Sequence, residues 1–348
     1  MQTKSENSEP PEETTKLLSL QFLIPKKPEN KHFYYNGFSN LIPRLYLKID
    51  SNIDSCEKLW NEFSPKNSLF QLWDFRLAWY QGFRYKPFFY SLYLDNKLKA
   101  VLPLWYNSLE KRYEWFGGTW PEDNLFFLSE KKYLPLLLKI SPSPIYLNAI
   151  DIDSFNPIIN YKNFFNLRDD YPKYILDTKN LKTMDDYLYS LNKKSRYQLR
   201  YFYKKFNDYQ PELIILTGDQ SKLLPKLKKL SIIDFERKRD ISEYRKPERM
   251  KAFEMIYKNQ KEYEILTFLV YIRNFLVVYD IVAVYKKNFY ILTGASDLQR
   301  FPGANSYITY IEIEYALKNG FQLIDCMQID YNWKHKFFSS KPTLKFEK

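Results

Sequence analysis

Only eight glycines serve 348 residues. Where several fall close together, the backbone demands them. Gly294, Gly303 and Gly320 punctuate one C-terminal block. There, Asp297-Leu-Gln-Arg-Phe-Pro-Gly-Ala-Asn305 precedes an apolar-periodic run, and Phe321-Gln-Leu-Ile-Asp-Cys-Met-Gln-Ile-Asp330-Tyr-Asn-Trp-Lys334 follows Gly320. The pattern is strand, Gly-bearing turn, helix, strand, polar turn. The spacing predicts a helix from the 301–306 turn to about Lys318, ended by Asn319-Gly320. A turn feeding a helix leaves free N–H groups at its N-terminus, where the helix dipole favours an anion.

Composition narrows the chemistry. Apolar residues make up 45% and aromatic residues 19%, enough for a packed core. The 31 tyrosines and 27 phenylalanines accompany many lysines and asparagines. Aromatic-rich stretches are therefore not read as stacking sites. The net charge of +12 (53 − 41) fits either anionic partners or plain solubility. No zinc-finger, basic-zipper or RNA-recognition pattern accompanies it. The two cysteines, Cys56 and Cys326, lack a CxxC context, and the histidines are His32 and His335 only. A disulfide framework, a histidine triad and a multi-histidine metal site are disfavoured, and no metal is expected. Catalysis must rest on carboxylates, lysine, tyrosine, a thiol or positioning. No apolar run is long enough for a transmembrane helix, and the polar N-terminus lacks the apolar core of a signal peptide. A cytoplasmic location is the expectation.

Residues 1–15, rich in Glu, Ser and Pro, read as a disordered tail, and 16–43 show no clear period. The unit from 44 to 150 alternates strands and helices, with a hairpin at 88–105. A second begins near Tyr174. It contains one long helix over 184–206, helices at 223–237 and 247–258, strands at 265–272, 275–285 and 289–294, and then the C-terminal block. Both halves run helices, hairpin, helix, strand. A mixed α/β fold of two tandem units is expected, bounded at 44–170 and 171–348 after an N-terminal extension of 1–43.

Five motifs carry a resemblance. They are Leu98-Lys-Ala-Val-Leu-Pro-Leu104; Phe116-Gly-Gly followed by Asp123; Leu191-Asn-Lys-Lys-Ser-Arg-Tyr-Gln-Leu-Arg200; Asp297 followed by Pro302-Gly303; and Asp325-Cys-Met-Gln-Ile-Asp330-Tyr-Asn-Trp-Lys334. Together they resemble the double-domain branch of the GNAT acyltransferase superfamily. That branch contains the CelD/BcsL-like acetyltransferases and, more remotely, the Fem-type aminoacyl transferases. Two departures stand out. Ile329 replaces the usual Gly, and a β-branched residue resists positive φ. Trp333 replaces the usual Tyr and has no phenol to donate.

The resemblance implies two GNAT-like units and transfer from acetyl-CoA or another acyl-CoA to a small-molecule or glycan acceptor. It places the CoA pyrophosphate on Arg300, Gly303, Ala304 and Asn305; the plain alternative is a helix capped by Asn305 or Ser306. It makes Lys334, Asp330 and Asp297 the catalytic candidates, with Asp330 acting as base or pairing with Lys334 or Arg300. Arg196, Arg200 and Trp333 become candidate substrate contacts, against the alternative of a solvated basic face. Cys326, among apolar neighbours, reads as a buried inert thiol. Acyl transfer to an amine needs alignment, an oxyanion donor and a proton route, so scarcity of histidine is no obstacle. Three functions remain open: an acyl-CoA-dependent transferase, an aminoacyl-tRNA-dependent transferase with tRNA as partner, and a non-catalytic GNAT-like binding protein.

Overall fold

The computed structural model describes residues 16–17, 45–152, 166–237 and 239–348. The expected N-terminal tail lies outside the described residues.

The first half runs β1 (Lys16–Leu17), β2 (Leu45–Asp50), α1 (Ile53–Phe63), α2 (Trp73–Phe83), β3 (Pro87–Leu94), β4 (Lys97–Asn107), β5 (Arg112–Trp115), β6 (Phe127–Leu128), α3 (Leu134–Ile140) and β7 (Tyr146–Asp151). The Asn52 side chain accepts from the N–H groups of Asp54 and Ser55 and so starts α1. Asp95 and Asn96 both adopt positive φ, which turns β3 back onto β4 as the expected hairpin. The sheet order is β1-β2-β3-β4-β5, with β6 paired to β4.

The second half runs β8 (Leu167–Asp169), β9 (Lys173–Asp177), α4 (Met184–Ser190), α5 (Lys193–Asn207), β10 (Glu212–Thr217), α6 (Leu224–Arg237), α7 (Pro247–Lys258), β11 (Glu264–Ile272), β12 (Phe275–Tyr285), β13 (Asn288–Ser296), α8 (Ala304–Lys318), β14 (Leu323–Asp325), β15 (Ser339–Lys341) and β16 (Thr343–Glu347). Its sheet order is β10-β11-β12-β13-β14-β9-β15, with β13 and β14 parallel. A third small sheet, β7-β16-β8, returns the last strand to the first half.

The single helix expected over 184–206 is two helices. Thr183 and Asp186 form a capping box at the start of α4, and the Asn192 side chain accepts from Ser195 N–H to start α5. The apolar period runs on through the break because both helices bury the same core. That core holds Tyr187, Leu188, Leu199 and Phe206, together with Tyr307 and Ile311 of α8. Trp79 of α2 and Phe253 of α7 belong to one continuous cluster, so the two halves share a core.

Candidate active site where β13 and β14 part

Parallel strands β13 and β14 share three register pairs, Asn288–Leu323, Phe289–Ile324 and Tyr290–Asp325. Beyond Tyr290, β13 continues to Ser296, while the chain after Asp325 follows β9. There, Cys326 N–H donates to Tyr174 O and Tyr174 N–H to Met327 O. The strands therefore splay and leave residues 291–296 without a β14 partner.

A pair of carboxyls lies beside this opening. Asp280 of β12 is in register with Gly294 of β13. A Cβ on Gly294 would sit 1.8 Å from Asp280 Oδ1. The carboxyl thus occupies the space where any other residue would place a side chain. Gly294 is exposed, whereas Asp280 and its hydrogen-bond partner Glu312 of α8 are buried. Burial raises Asp280 to about 7 against the opposing hydrogen bond from Glu312. Burial, then the neighbouring Asp280, holds Glu312 well above the usual carboxylate range. Two adjacent carboxyls cannot both ionise in an apolar setting. At neutral pH this pair offers one protonated acid beside one available base. Glu312 Oε1 is buried without a partner among the described residues. Sequence reading missed both acids. Their signal was a lone carboxylate inside an apolar strand and another inside an apolar helix.

The turn before α8 is built differently from the expectation. Gly303 itself, at φ 98°, is the cap of α8. The Phe202 ring of α5 lies on it, where a Cβ would come within 2.0 Å of the ring. Ala304 is fully buried, and its N–H donates to Phe301 O at 3.2 Å. Asp297 Oδ1 accepts from Arg300 N–H at 3.0 Å, and Oδ2 accepts from Arg300 Nε at 2.5 Å. Arg300 also stacks on Phe275, 4.6 Å from the ring centroid. Asp297 and Arg300 therefore serve each other, and Asn305 is half-buried. Phe202 thus fills the side-chain position of Gly303, and the Ala304 N–H is already bound to Phe301 O.

The closing segment holds unusual backbone. Met327, Ile329, Tyr331 and Asn332 all adopt positive φ, Ile329 at 58°. The expectation that isoleucine demands another turn is overturned. The left-handed turn persists with a β-branched residue, at a cost of about 1–2 kcal/mol. Lys334 bears that cost. It is buried, and its ammonium donates to Gln328 O at 2.5 Å and to Met327 O at 3.5 Å. Asp330 does not pair with Lys334 or Arg300 through its side chain. It accepts from Trp333 N–H, His335 N–H and His335 Nδ1. Burial raises its pKa, but the His335 bonds outweigh that and hold it below the usual range. Trp333 packs against Phe337 and Phe338. Cys326 is buried, and burial pushes its thiol up, with Lys334 opposing and Glu312 adding.

An exposed lysine would be replaceable without loss of stability; a buried one that holds two carbonyls is not. Lys334→Ala should lower the unfolding free energy by about 2 kcal/mol, read by chemical denaturation. Lys336→Ala, at a half-buried position without such bonds, should stay within about 0.5 kcal/mol. Equal losses in both would show that Lys334 does not clamp the loop.

Arg196 and Arg200 are also committed internally. Arg196 donates to the carbonyls of Leu188, Tyr189 and Leu191 and so closes the end of α4. Arg200 pairs with Asp185 at 3.1 Å.

A second buried cluster joins the halves. Lys173, at the start of β9, lies 2.5 Å from Asp123, 2.5 Å from Asp325 and 4.0 Å from Glu122. Burial would lower its ammonium, but Asp123, Asp325 and Glu122 outweigh this and raise it. Asp123 and Asp325 were each read as parts of separate motifs. Lys173 carried no sequence signal beyond being one lysine among many.

No protein-family model matches this sequence, and no curated protein matches it. Solved structures do. FemX superposes with a TM-score of 0.54 at 13% identity, covering 86% of this chain and 97% of its own. L-PGS from Bacillus licheniformis gives 0.51 at 11% identity, covering 86% and 92%. The tandem GNAT protein from the clavulanic acid biosynthesis pathway gives 0.50 at 9% identity, covering 86% and 98%. With the antiparallel first sheet, the mixed second sheet and the parting of β13 from β14, these likenesses establish the fold of this chain as two GNAT-like units in tandem.

Proposed function

We propose that this chain is an acyltransferase whose chemistry lies at the parting of β13 and β14. It would move an acyl group, in the first instance acetyl from a CoA thioester, to an amine or hydroxyl of a small-molecule, sugar or cell-envelope acceptor. The motif resemblance to the CelD/BcsL-like branch supports that donor. The units divide as 44–170 and 171–348, with the reaction in the second. The observation that carries the proposal is the Asp280–Glu312 pair beside the exposed backbone of Gly294. As the acceptor's nitrogen or oxygen attacks the acyl carbon, its proton passes to Asp280. The carbon–sulfur bond to the donor breaks, the CoA thiolate leaves and takes up the proton from Asp280, and Glu312 keeps its own proton throughout, so the pair never carries two charges. The edge of β13 over 291–296 that faces away from β12 has no strand partner and lies along the same opening for alignment of substrates.

A second reading, an aminoacyl-tRNA-dependent transferase, draws on the covered turn. Phe202 packs on Gly303, where a side chain would lie, and narrows the turn on that side.

The test is donor consumption across pH. With acetyl-CoA as donor, turnover should rise with pH through about 7 as Asp280 loses its proton. Asp280→Asn should lower it by about 10²–10⁴. Phe202→Ala, which uncovers the turn, should tighten CoA binding. Wild-type turnover in Asp280→Asn would remove the carboxyl pair from the mechanism. Unchanged CoA affinity in Phe202→Ala, with salt-sensitive tRNA binding, would favour the second reading.

A further inference from the structure

We propose that the outer face of α5 is a docking surface for an anionic lipid membrane. The inference is independent of which acyl donor the protein uses. Helix α5 carries six basic residues and no acidic one. Its inner face, Leu199 and Phe206 with Tyr203 stacked on Tyr307 and Tyr310, packs against α8. Lys193, Tyr197, Arg200, Tyr201 and Lys204 recur at helical spacing on the other side, and all are exposed. Tyr197 is 69% exposed and Tyr201 47%, large for aromatic rings on a folded surface.

The charges divide by type. Arg196 and Arg200 are held by α4 carbonyls and Asp185. No carboxylate among the described residues pairs with Lys193, Lys194, Lys204 or Lys205, so the lysines are the groups left to meet a partner. Flexible ammonium groups suit a diffuse anionic surface; planar arginine forks suit fixed phosphates in a nucleic acid.

Ring geometry points the same way. Tyr197 and Tyr201 stack on each other at 6.0 Å and 19°. The faces of the 65% exposed Tyr189 are taken by Arg196 and Arg200, at 5.1 and 5.6 Å. Stacking takes one face of each of the first two rings, so the strip offers bases fewer open faces than it has rings. Exposed tyrosines beside lysines are the residue pairing found at a bilayer interface. The strip continues past α5. Tyr201 contacts Phe202, Phe202 covers Gly303, Tyr209 contacts Phe301, and Arg300 reaches Phe275 at the tip of the β11–β12 hairpin. A helix lying in the interfacial plane with the exposed Phe275 and the Arg273 of the hairpin turn beside it is a two-point contact. A membrane on this strip would touch the turn before α8.

The experiment is co-sedimentation of the full chain with vesicles of phosphatidylcholine alone and of phosphatidylcholine mixed with phosphatidylglycerol. The expected result is binding to the mixed vesicles only, weakening with salt. Lys193→Gln with Lys204→Gln should weaken it about 30-fold, roughly fivefold per charge. Tyr197→Ser with Tyr201→Ser should weaken binding while leaving its salt dependence unchanged. Circular-dichroism melting should match the wild type in both, since the four side chains are exposed. Three outcomes overturn the proposal. One is no binding to mixed vesicles at low salt. Another is equal binding by the lysine variant. The third is tighter binding of an RNA oligonucleotide that the same lysine variant abolishes.

Discussion

Lys173→Met should lower the unfolding free energy of this protein by about 3–5 kcal/mol at neutral pH, because it strands buried carboxylates without their counter-charge. Asp123 and Asp325 lie within 2.5 Å of that ammonium, with Glu122 behind them. Burial already holds Glu122 up to about 8, with Lys173 opposing. Asp123 is driven the other way. Burial raises it, and Lys173 more than compensates, so it sits below its ordinary value. The signs fix the pH dependence. Glu122 has a folded pKa above its unfolded one, so its contribution to stability is complete at low pH and is lost as pH rises through about 8. Asp123 has a depressed folded pKa, so its contribution is present above the ordinary aspartate value and is lost as pH falls below it. Removing Lys173 takes away the Asp123 contribution and makes every carboxyl in the cluster behave as Glu122 does. The variant should lose most at pH 8 and least near pH 4. Urea unfolding at both pH values decides it. A loss under 1 kcal/mol at pH 8 would show that the cluster relaxes into solvent, and that Lys173 does not tie the halves together.

Gly294→Ala should sharply lower turnover in the acyl transfer proposed above. The added methyl would lie 1.8 Å from Asp280 Oδ1, far inside contact distance. The carboxyl must swing away from Glu312, and the acid–base pair is lost. The expected fall in turnover is about 10²–10⁴, the range for a misplaced general base. Stability should drop by about 1–3 kcal/mol from overpacking. Gly218→Ala is the control. Its φ is 73° with nothing within 4 Å of the added Cβ. It should cost about 1 kcal/mol of backbone strain and leave turnover intact. Full activity in Gly294→Ala would mean that Asp280 can leave its place without consequence and is not the base.

Local chemistry was enough to read most elements. The hairpin at 88–105, the helices at 223–237 and 247–258 and the strands at 265–294 follow from alternation and helical period, which neighbours along the chain set by themselves. The α8 start followed from Pro302-Gly303, and the tandem arrangement from the repeated order of elements. The sequence alone also gave Gly294, Gly303 and Gly320 as places where the backbone is constrained. What it left open was the cause. For Gly303 that cause is a ring from α5; for Gly294 it is a carboxyl from the neighbouring strand. Both are contacts between residues far apart in sequence, and no periodicity encodes them.

The same holds for the site. Arg196, Arg200, Asp297, Arg300 and Asp330 were legible as polar residues in motifs, but each spends its donors or acceptors on nearby backbone or side chains. Asp280, Glu312 and Lys173 were not picked out from the sequence, and Asp123 and Asp325 were read there only as parts of separate motifs. A titratable group acquires an unusual pKa only when tertiary packing removes its water and chooses its neighbours.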